Sequence, residues 1–136
     1  MKKLFSILFA ALLTLSVSQW AHANEFTDLR SQLSAARESL VTLMVNKDKR
    51  GADQQKLVKD TADAVSAHLA KMKAPAGKEA QFKELVESWN AFKKTREVEL
   101  VPAILAGKDD EAKKLAGGIQ KERITRCQQL VGELGG

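Results

Sequence analysis

Apolar residues recur at alternating intervals of three and four, and this spacing constrains the fold more than any other feature of the chain. The first series runs through Phe26, Leu29, Leu33, Ala36, Leu40 and Leu43. Residues at these intervals share one face of an α-helix, and that face is expected to pack lengthwise against another helix. The chain is also rich in Ala, Leu, Lys, Glu and Gln and contains no tyrosine, which favours helix over strand.

Three more apolar series follow the first. Their members are Val58, Ala62, Val65, Leu69 and Met72, then Phe82, Leu85, Trp89 and Phe92, and finally Ala112, Ala116, Ile119, Arg123, Cys127, Leu130 and Leu134. The segment "KAPAGKE", with Pro75 and Gly77, reads as the loop between the second and third helices. Four amphipathic helices with short connections predict an all-α fold, an antiparallel up-down-up-down four-helix bundle over residues 24–136.

The stretch "ELVPAILAGKDDEAKKL", residues 99–115, interrupts the third series. The apolar stripe resumes at Val98, Val101 and Leu105, as it would after an insertion in the heptad count. Pro102 lacks an N–H and crowds the preceding turn, so it is best tolerated near a helix end. The stretch therefore predicts a kinked helix end, a turn at Gly107 and a new helix capped by Asp109 or Asp110. Asn24 and Asp53 are the corresponding caps expected for the first and second helices.

Residues 1–23 have the pattern of a secretory leader. "MKK" is a basic start, "LFSILFAALLTLSVS" is an apolar run, and Ala21-His22-Ala23 is a small-x-small cleavage signal. We expect cleavage after Ala23 and a periplasmic or secreted chain without a stable membrane anchor. The alternative is a retained transmembrane anchor, although the apolar run is short beside the roughly 20 residues that a span needs.

Charge and cysteine content exclude some partners. Removal of Lys2 and Lys3 lowers the net charge from +5 to +3, and the remaining basic residues are scattered among acidic ones. Nucleic acid is therefore not an expected partner. Cys127 is the single cysteine, so a disulfide could form only between chains. A homodimer and an envelope protein partner both remain open.

No enzymatic motif is present. The sequence has no glycine-rich phosphate loop, no Gly-x-Ser-x-Gly and no His/Cys/Asp group at metal-ligand spacing. The chain beyond the leader has one histidine, His68, beside the apolar stripe of the second helix, where a packing role is more usual than a ligand role. We therefore expect a non-enzymatic protein with no metal site and no cofactor.

Two other classes of protein stay open. Exported haem bundles of the cytochrome c-prime type carry Cys-x-x-Cys-His on the last helix, and this chain has "RITRCQQL". If Cys127 were the second cysteine, Ile124 would replace the first and Gln128 the axial histidine, so this alternative is a haem bundle that has lost its attachment motif. A periplasmic chaperone or interaction protein is the other alternative.

Residues 82–123, "FKELVESWNAFKKTREVELVPAILAGKDDEAKKLAGGIQKER", resemble the second half of the four-helix-bundle sensor domain of methyl-accepting chemotaxis receptors. In that family a Trp and an aromatic residue three positions later, here Trp89 and Phe92, lead into charged positions. A Gly-Lys/Asp-x-x-x-Ala turn then starts the last helix, matched here by Gly107, Lys108 and Ala112. The resemblance implies an exported sensor fold that binds a small molecule. It does not extend to the cytoplasmic signalling region of such receptors.

The resemblance also implies a class of ligand. Sensors of this family that recognise amino or organic acids grip carboxylates with arginines, whose planar fork gives bidentate hydrogen bonds. The ligand-binding residues expected here are Arg30, Arg37, Trp89, Arg96, Arg123 and Arg126. The alternative is structural: surface arginines with buried stems, Arg96 paired with Glu99 or Glu122, and Trp89 in the core.

Overall fold

The computed structural model describes the backbone of residues 2–135 and the side chains of residues 24–135. Regular structure in this part of the chain is entirely helical. The helices are α1 (Lys2–Val45), α2 (Ala52–Lys71), α3 (Glu79–Thr95), α4 (Val101–Leu105), α5 (Asp109–Gly117) and α6 (Ile119–Gly135). The predicted leader, residues 1–23, lies outside the residues whose side chains are described.

These segments form four helices. A π-helical turn, Arg96–Leu100, joins α3 to α4, so residues 79–105 are the third helix. Gly118 alone separates α5 from α6, and residues 109–135 are the fourth. Among the residues with described side chains, none of the helices has the length and apolar character needed to cross a membrane.

The first two apolar series are confirmed as the buried faces of α1 and α2. Every member of both series is at most 7% exposed. α1 packs on both α2 and α6, and α3 packs mainly on α6. The 3–4 spacing explains why these faces are buried, because it places the apolar side chains of each series on one side of its helix.

The slip in the third series is confirmed, but its predicted outcome is wrong. The π-helical turn inserts the extra residue, and the backbone N–H of Val101 bonds to the Arg96 carbonyl five residues earlier. Val98 is consequently 65% exposed and Leu105 is 42% exposed. The buried positions are instead Arg96, Leu100, Ala103 and Ile104.

Gly107 ends the third helix as predicted. Its φ of +74° lies in the left-handed region, where glycine has no steric penalty. The expected caps are wrong. Gly51 precedes α2 and Lys108 precedes α5, neither of them with a side-chain cap. Asn24 lies within α1.

The fourth helix departs from its predicted stripe near Gly118, where Ala116 and Arg123 are only half-buried. Ile119 is 42% exposed, whereas Gln120 and Ile124 are buried. Gly118 has φ −101° and ψ −114°, outside the helical region, so the register of the buried face changes between α5 and α6.

The core consists of two clusters. The larger contains Trp89, Phe92 and Ile124, and the smaller contains Leu40 and Leu100. The buried polar residues of the described chain are Ser39, Arg96 and Gln120. Arg96 bonds to a carbonyl beside each cluster, at Ala36 and at Val58. Arg96 therefore connects the two clusters.

Candidate functional site

A cleft of about 420 Å³ lies between α1 and the fourth helix, where the two core clusters meet. We call it the basic cleft. Its apolar wall and floor are formed by Leu40, Val41, Met44, Phe92, Leu100 and Ile124. Gly117 also lines it, and an added Cβ there would meet nothing within 4 Å, so the space beside this glycine is open. The volume is within the range of small-molecule sites.

The charged residues of the cleft all carry the same sign. Arg37 from α1, Lys113 from α5 and Lys121 from α6 line it, and no carboxylate does. None of these three side chains takes part in an ion pair with a described residue. An apolar floor beneath uncompensated positive charge is suited to an anion that has an apolar part.

Gln120 gives the cleft a fixed polar group. It is buried, and its Nε2 donates a 2.8 Å hydrogen bond to the carbonyl of Phe92. Its Oε1 accepts from Nη1 of Arg123 at 3.1 Å. Both ends of the amide are thus partnered within the protein, so Gln120 holds α6 against α3.

Arg96 lies at the centre of the bundle and is 1% exposed. Its Nη1 donates to the Ala36 carbonyl at 2.7 Å and its Nη2 to the Val58 carbonyl at 2.6 Å. Burial lowers the pKa of Arg96 to about 10. The alternative of pairing with Glu99 or Glu122 is wrong, because the hydrogen-bond acceptors of Arg96 are main-chain oxygens.

Arg123 and Arg126 contact the third helix from α6. Nη1 of Arg123 donates to Thr95 Oγ1 at 2.7 Å and to the Ala91 carbonyl at 3.3 Å. Arg126 makes a bidentate pair with Glu84, at 2.6 and 2.8 Å. The hydrogen bonds of this pair lower the pKa of Glu84 and raise that of Arg126. Both arginines thus hold helices together.

The remaining predicted residues lie apart from one another. Arg30 is exposed on α1, with its Nη2 3.5 Å from where a Cβ on Gly132 would be. Trp89 is fully buried, donates from Nε1 to Ser66 Oγ at 2.9 Å and packs against Phe92. Of the six predicted ligand residues, Arg37 alone lines the basic cleft. Ligand binding by the six stays a prediction.

Sequence reasoning missed the other two cations of the cleft. Lys113 and Lys121 are eight residues apart in the fourth helix, on either side of the break at Gly118. The pattern was detectable, but surface lysines at this spacing are common in helices. The two lysines belong to the cleft because the surface of α1 that carries Arg37 lies opposite them, and the sequence does not show that these surfaces face each other.

Three observations bear on metal and haem binding. Among residues 24–135, no group of three or more His, Cys, Asp or Glu side chains is placed to hold a metal ion. His68 is half-buried, and its Nδ1 lies 2.7 Å from Oε1 of Gln32. Cys127 is fully buried, and burial raises the pKa of its thiol to about 12.

No protein-family model, curated protein or solved structure matches this chain.

Proposed function

We propose that this chain is an exported, non-enzymatic helical domain that binds a small anionic ligand in the basic cleft. The observation that carries the proposal is the combination of Arg37, Lys113 and Lys121 with an apolar floor and no lining carboxylate. The cleft belongs to a single chain, so binding does not require a second copy. The resemblance of residues 82–123 to chemotaxis-receptor sensor domains favours the same class of function.

The exported location rests on the leader pattern of residues 1–23. Mass measurement of the protein recovered from the periplasm tests it, with a mature N-terminus at Asn24 as the expected result. A retained leader would favour the membrane-anchored alternative.

We also propose that the four helices run up-down-up-down. Contacts between neighbouring helices support it, because residue numbers rise along one helix as they fall along the next. The pairs that follow this rule are Gln32–His68 and Ser39–Thr61, Ser66–Trp89 and Val58–Arg96, and Glu84–Arg126 and Phe92–Gln120. Nuclear Overhauser contacts between the members of these pairs are the direct test.

Thermal unfolding with a panel of anions tests the binding function. The panel comprises acetate, hexanoate, succinate, citrate, aspartate and phosphate. A ligand at about 100 times its dissociation constant stabilises the fold by roughly 2.7 kcal/mol, which raises the Tm of a domain of this size by about 10 °C. At least one member of the panel is expected to give such a shift.

Two arginines of α1 provide the matched variants. Arg37→Ala is expected to abolish the ligand-dependent shift, because Arg37 lines the cleft. Arg30→Ala should leave it intact, since Arg30 is exposed on the same helix but does not line the cleft. Equal effects of the two variants, or no shift with any anion, would contradict the proposal. A Soret band in the purified protein would instead support the haem alternative.

A further inference from the structure

The ligand of the basic cleft can be specified further from the geometry of its lining, on the assumption that the proposed binding function holds. Small polar anions such as succinate or phosphate need hydrogen-bond donors on several sides. Here the charged donors are Arg37, Lys113 and Lys121, the neutral polar lining is Gln120, Thr125 and Gln128, and the rest of the lining is mainly aliphatic and aromatic carbon. Leu40, Phe92, Leu100 and Ile124 are already buried, so the accessible apolar surface of the floor is mainly that of Val41 and Met44 on α1. A ligand without an alkyl chain would leave this surface in water.

The apolar floor is elongated along α1. Arg37, Leu40, Val41 and Met44 line the cleft from successive turns of the helix. At about 1.5 Å per residue, the stretch from Arg37 to Met44 is roughly 10 Å long, the length of an extended chain of about eight carbons. Phe92, Leu100 and Ile124 close the floor from the other helices, and all three are at most 7% exposed.

Positive charge lies beside this floor. Arg37 stands at one end of the α1 stretch and is exposed, so its fork is accessible to a carboxylate. Lys121 and Lys113 lie on the opposite wall. With no carboxylate in the lining, an anion meets no repulsion there, while a cationic amphiphile would meet three like charges.

We propose that the cleft binds a linear aliphatic monocarboxylate of about eight to ten carbons, with its carboxylate at Arg37 and its alkyl chain along Leu40, Val41 and Met44. Shorter carboxylates bind more weakly because they cover less of the floor. Each methylene buried contributes about a four-fold gain in affinity, the equivalent of roughly 0.8 kcal/mol.

Isothermal titration calorimetry on the full purified chain tests the proposal. The probes are butyrate, hexanoate, octanoate and decanoate, all below their micellar concentrations, with succinate and decylamine as comparisons. Affinity is expected to rise with chain length from butyrate to decanoate, and decylamine is expected not to bind. If succinate binds as tightly as decanoate, the proposed function stands and the amphipathic ligand class is wrong. If no anion binds, both fail.

Two valines of α1 give a matched pair for locating the site. Val41 is 40% exposed and lines the cleft, whereas Val45 is 69% exposed one turn later and does not. Val41→Glu places a negative charge against the bound chain and should weaken decanoate binding at least ten-fold. Val45→Glu adds the same charge outside the cleft and should leave affinity within two-fold. Equal effects of the two variants would place the binding elsewhere and overturn the proposal.

The surface of an anionic lipid membrane also presents anionic groups joined to alkyl chains, so it is a second source of the chemistry that the cleft would recognise. Sedimentation with vesicles of phosphatidylglycerol and phosphatidylcholine separates it from a free carboxylate. The proposal predicts decanoate binding without vesicle binding. Vesicle binding in the absence of decanoate binding would overturn it.

Discussion

Nη1 of Arg96, on the third helix, donates a 2.7 Å hydrogen bond to the main-chain carbonyl of Ala36 on the first helix. The second arm of the same guanidinium reaches the Val58 carbonyl of the second helix. One buried side chain therefore ties three helices together at the level where the π-helical turn begins. The charge is held by main-chain dipoles, without a carboxylate hydrogen-bonded to it.

Arg96→Ala should lower the free energy of unfolding by about 3 kcal/mol. The substitution leaves a large void in the core and removes two charge-assisted hydrogen bonds. Arg96→Met is the control, since it keeps much of the volume and removes the buried charge. It should change stability by only about 1 kcal/mol, because apolar replacements of buried charges are often nearly neutral. Urea denaturation measures both. An alanine variant as stable as the original chain would show that Arg96 contributes nothing net.

Arg50 links the ends of three segments. Its guanidinium donates to the Leu43 and Met44 carbonyls at the end of α1 and to the Ile104 carbonyl of α4. It also bonds Asp109 at the start of α5. We expect Arg50→Ala to cost about 2–3 kcal/mol, because helix-terminal carbonyls lose a cationic partner. Urea denaturation would contradict this assignment if the loss were only a few tenths of a kcal/mol.

Asp109 makes part of this stabilisation depend on pH. Hydrogen bonds from Lys47 and Arg50 lower the pKa of Asp109 in the folded chain. The contribution is therefore complete above the unfolded pKa of about 4 and is lost as the pH falls through the lower folded value. Asp109→Asn should reduce stability at pH 7, and the difference from the original chain should shrink towards pH 2.

Asp110→Asn is the matched control for that experiment. Asp110 occupies the same first turn of α5 but is exposed and makes no ion pair with a described residue. Both substitutions remove a negative charge near the N-terminus of α5, so the loss of its interaction with the helix dipole is the same in both variants and cancels when their stabilities are compared. Identical pH profiles for the two variants would show that the pairing with Lys47 and Arg50 is not responsible.

Adjacent glycines at the α5–α6 junction should respond oppositely to alanine. Gly117 lies at the end of α5, and an added Cβ would meet nothing within 4 Å. Gly117→Ala should stabilise the chain by about 0.5–1 kcal/mol through helix propensity and reduced unfolded-state entropy. A Cβ on Gly118 would lie 2.8 Å from the Lys114 carbonyl oxygen. Gly118→Ala should therefore destabilise by about 1 kcal/mol or more. Thermal melts of the two variants measure the changes in Tm, which should have opposite signs. Equal changes in Tm would contradict this expectation.

How much the sequence predicted depends on whether a helix is regular. The apolar faces of α1 and α2 could be read directly, because an unbroken 3–4 spacing leaves one way to bury all members. Beyond Phe92 the spacing indicated an insertion in the heptad count, but it did not predict that a π-helical turn would accommodate the extra residue. Val98 was therefore expected inside, whereas Arg96 occupies the core. The burial of an arginine can be predicted only if its hydrogen-bond acceptors can be identified. The acceptors of Arg96 are main-chain carbonyls, and because every residue has one, the sequence does not indicate which of them will be used.

The candidate site was less predictable than the fold. Arg37 was among the residues expected to bind an anion, but the pattern that selected it also selected Arg96 and Arg123, which bond within the bundle. The cleft lies between helices, and its lining includes Leu100 of the π-helical turn and Gly117 beside the break at Gly118. The spacing of residues along one helix contains no information on the distance between that helix and its neighbours.

Cys127 provides a test of core burial that does not depend on any ligand. Its side chain is fully buried and its thiol pKa is raised to about 12, so little thiolate is present at neutral pH and no reagent reaches it directly. Ellman's reagent should label the folded chain at least 100-fold more slowly than the urea-unfolded chain.

The expectation extends to covalent pairing. Oxidant should give no disulfide-linked dimer on non-reducing gels, because the buried Cys127 cannot approach the same residue of a second copy. A Cys127→Ala, Ser31→Cys variant, which moves the thiol to the exposed face of α1, should label within seconds to minutes and dimerise. Rapid labelling of the native Cys127, or a dimer band from the unmodified chain, would mean that α6 opens from the bundle on the timescale of the experiment.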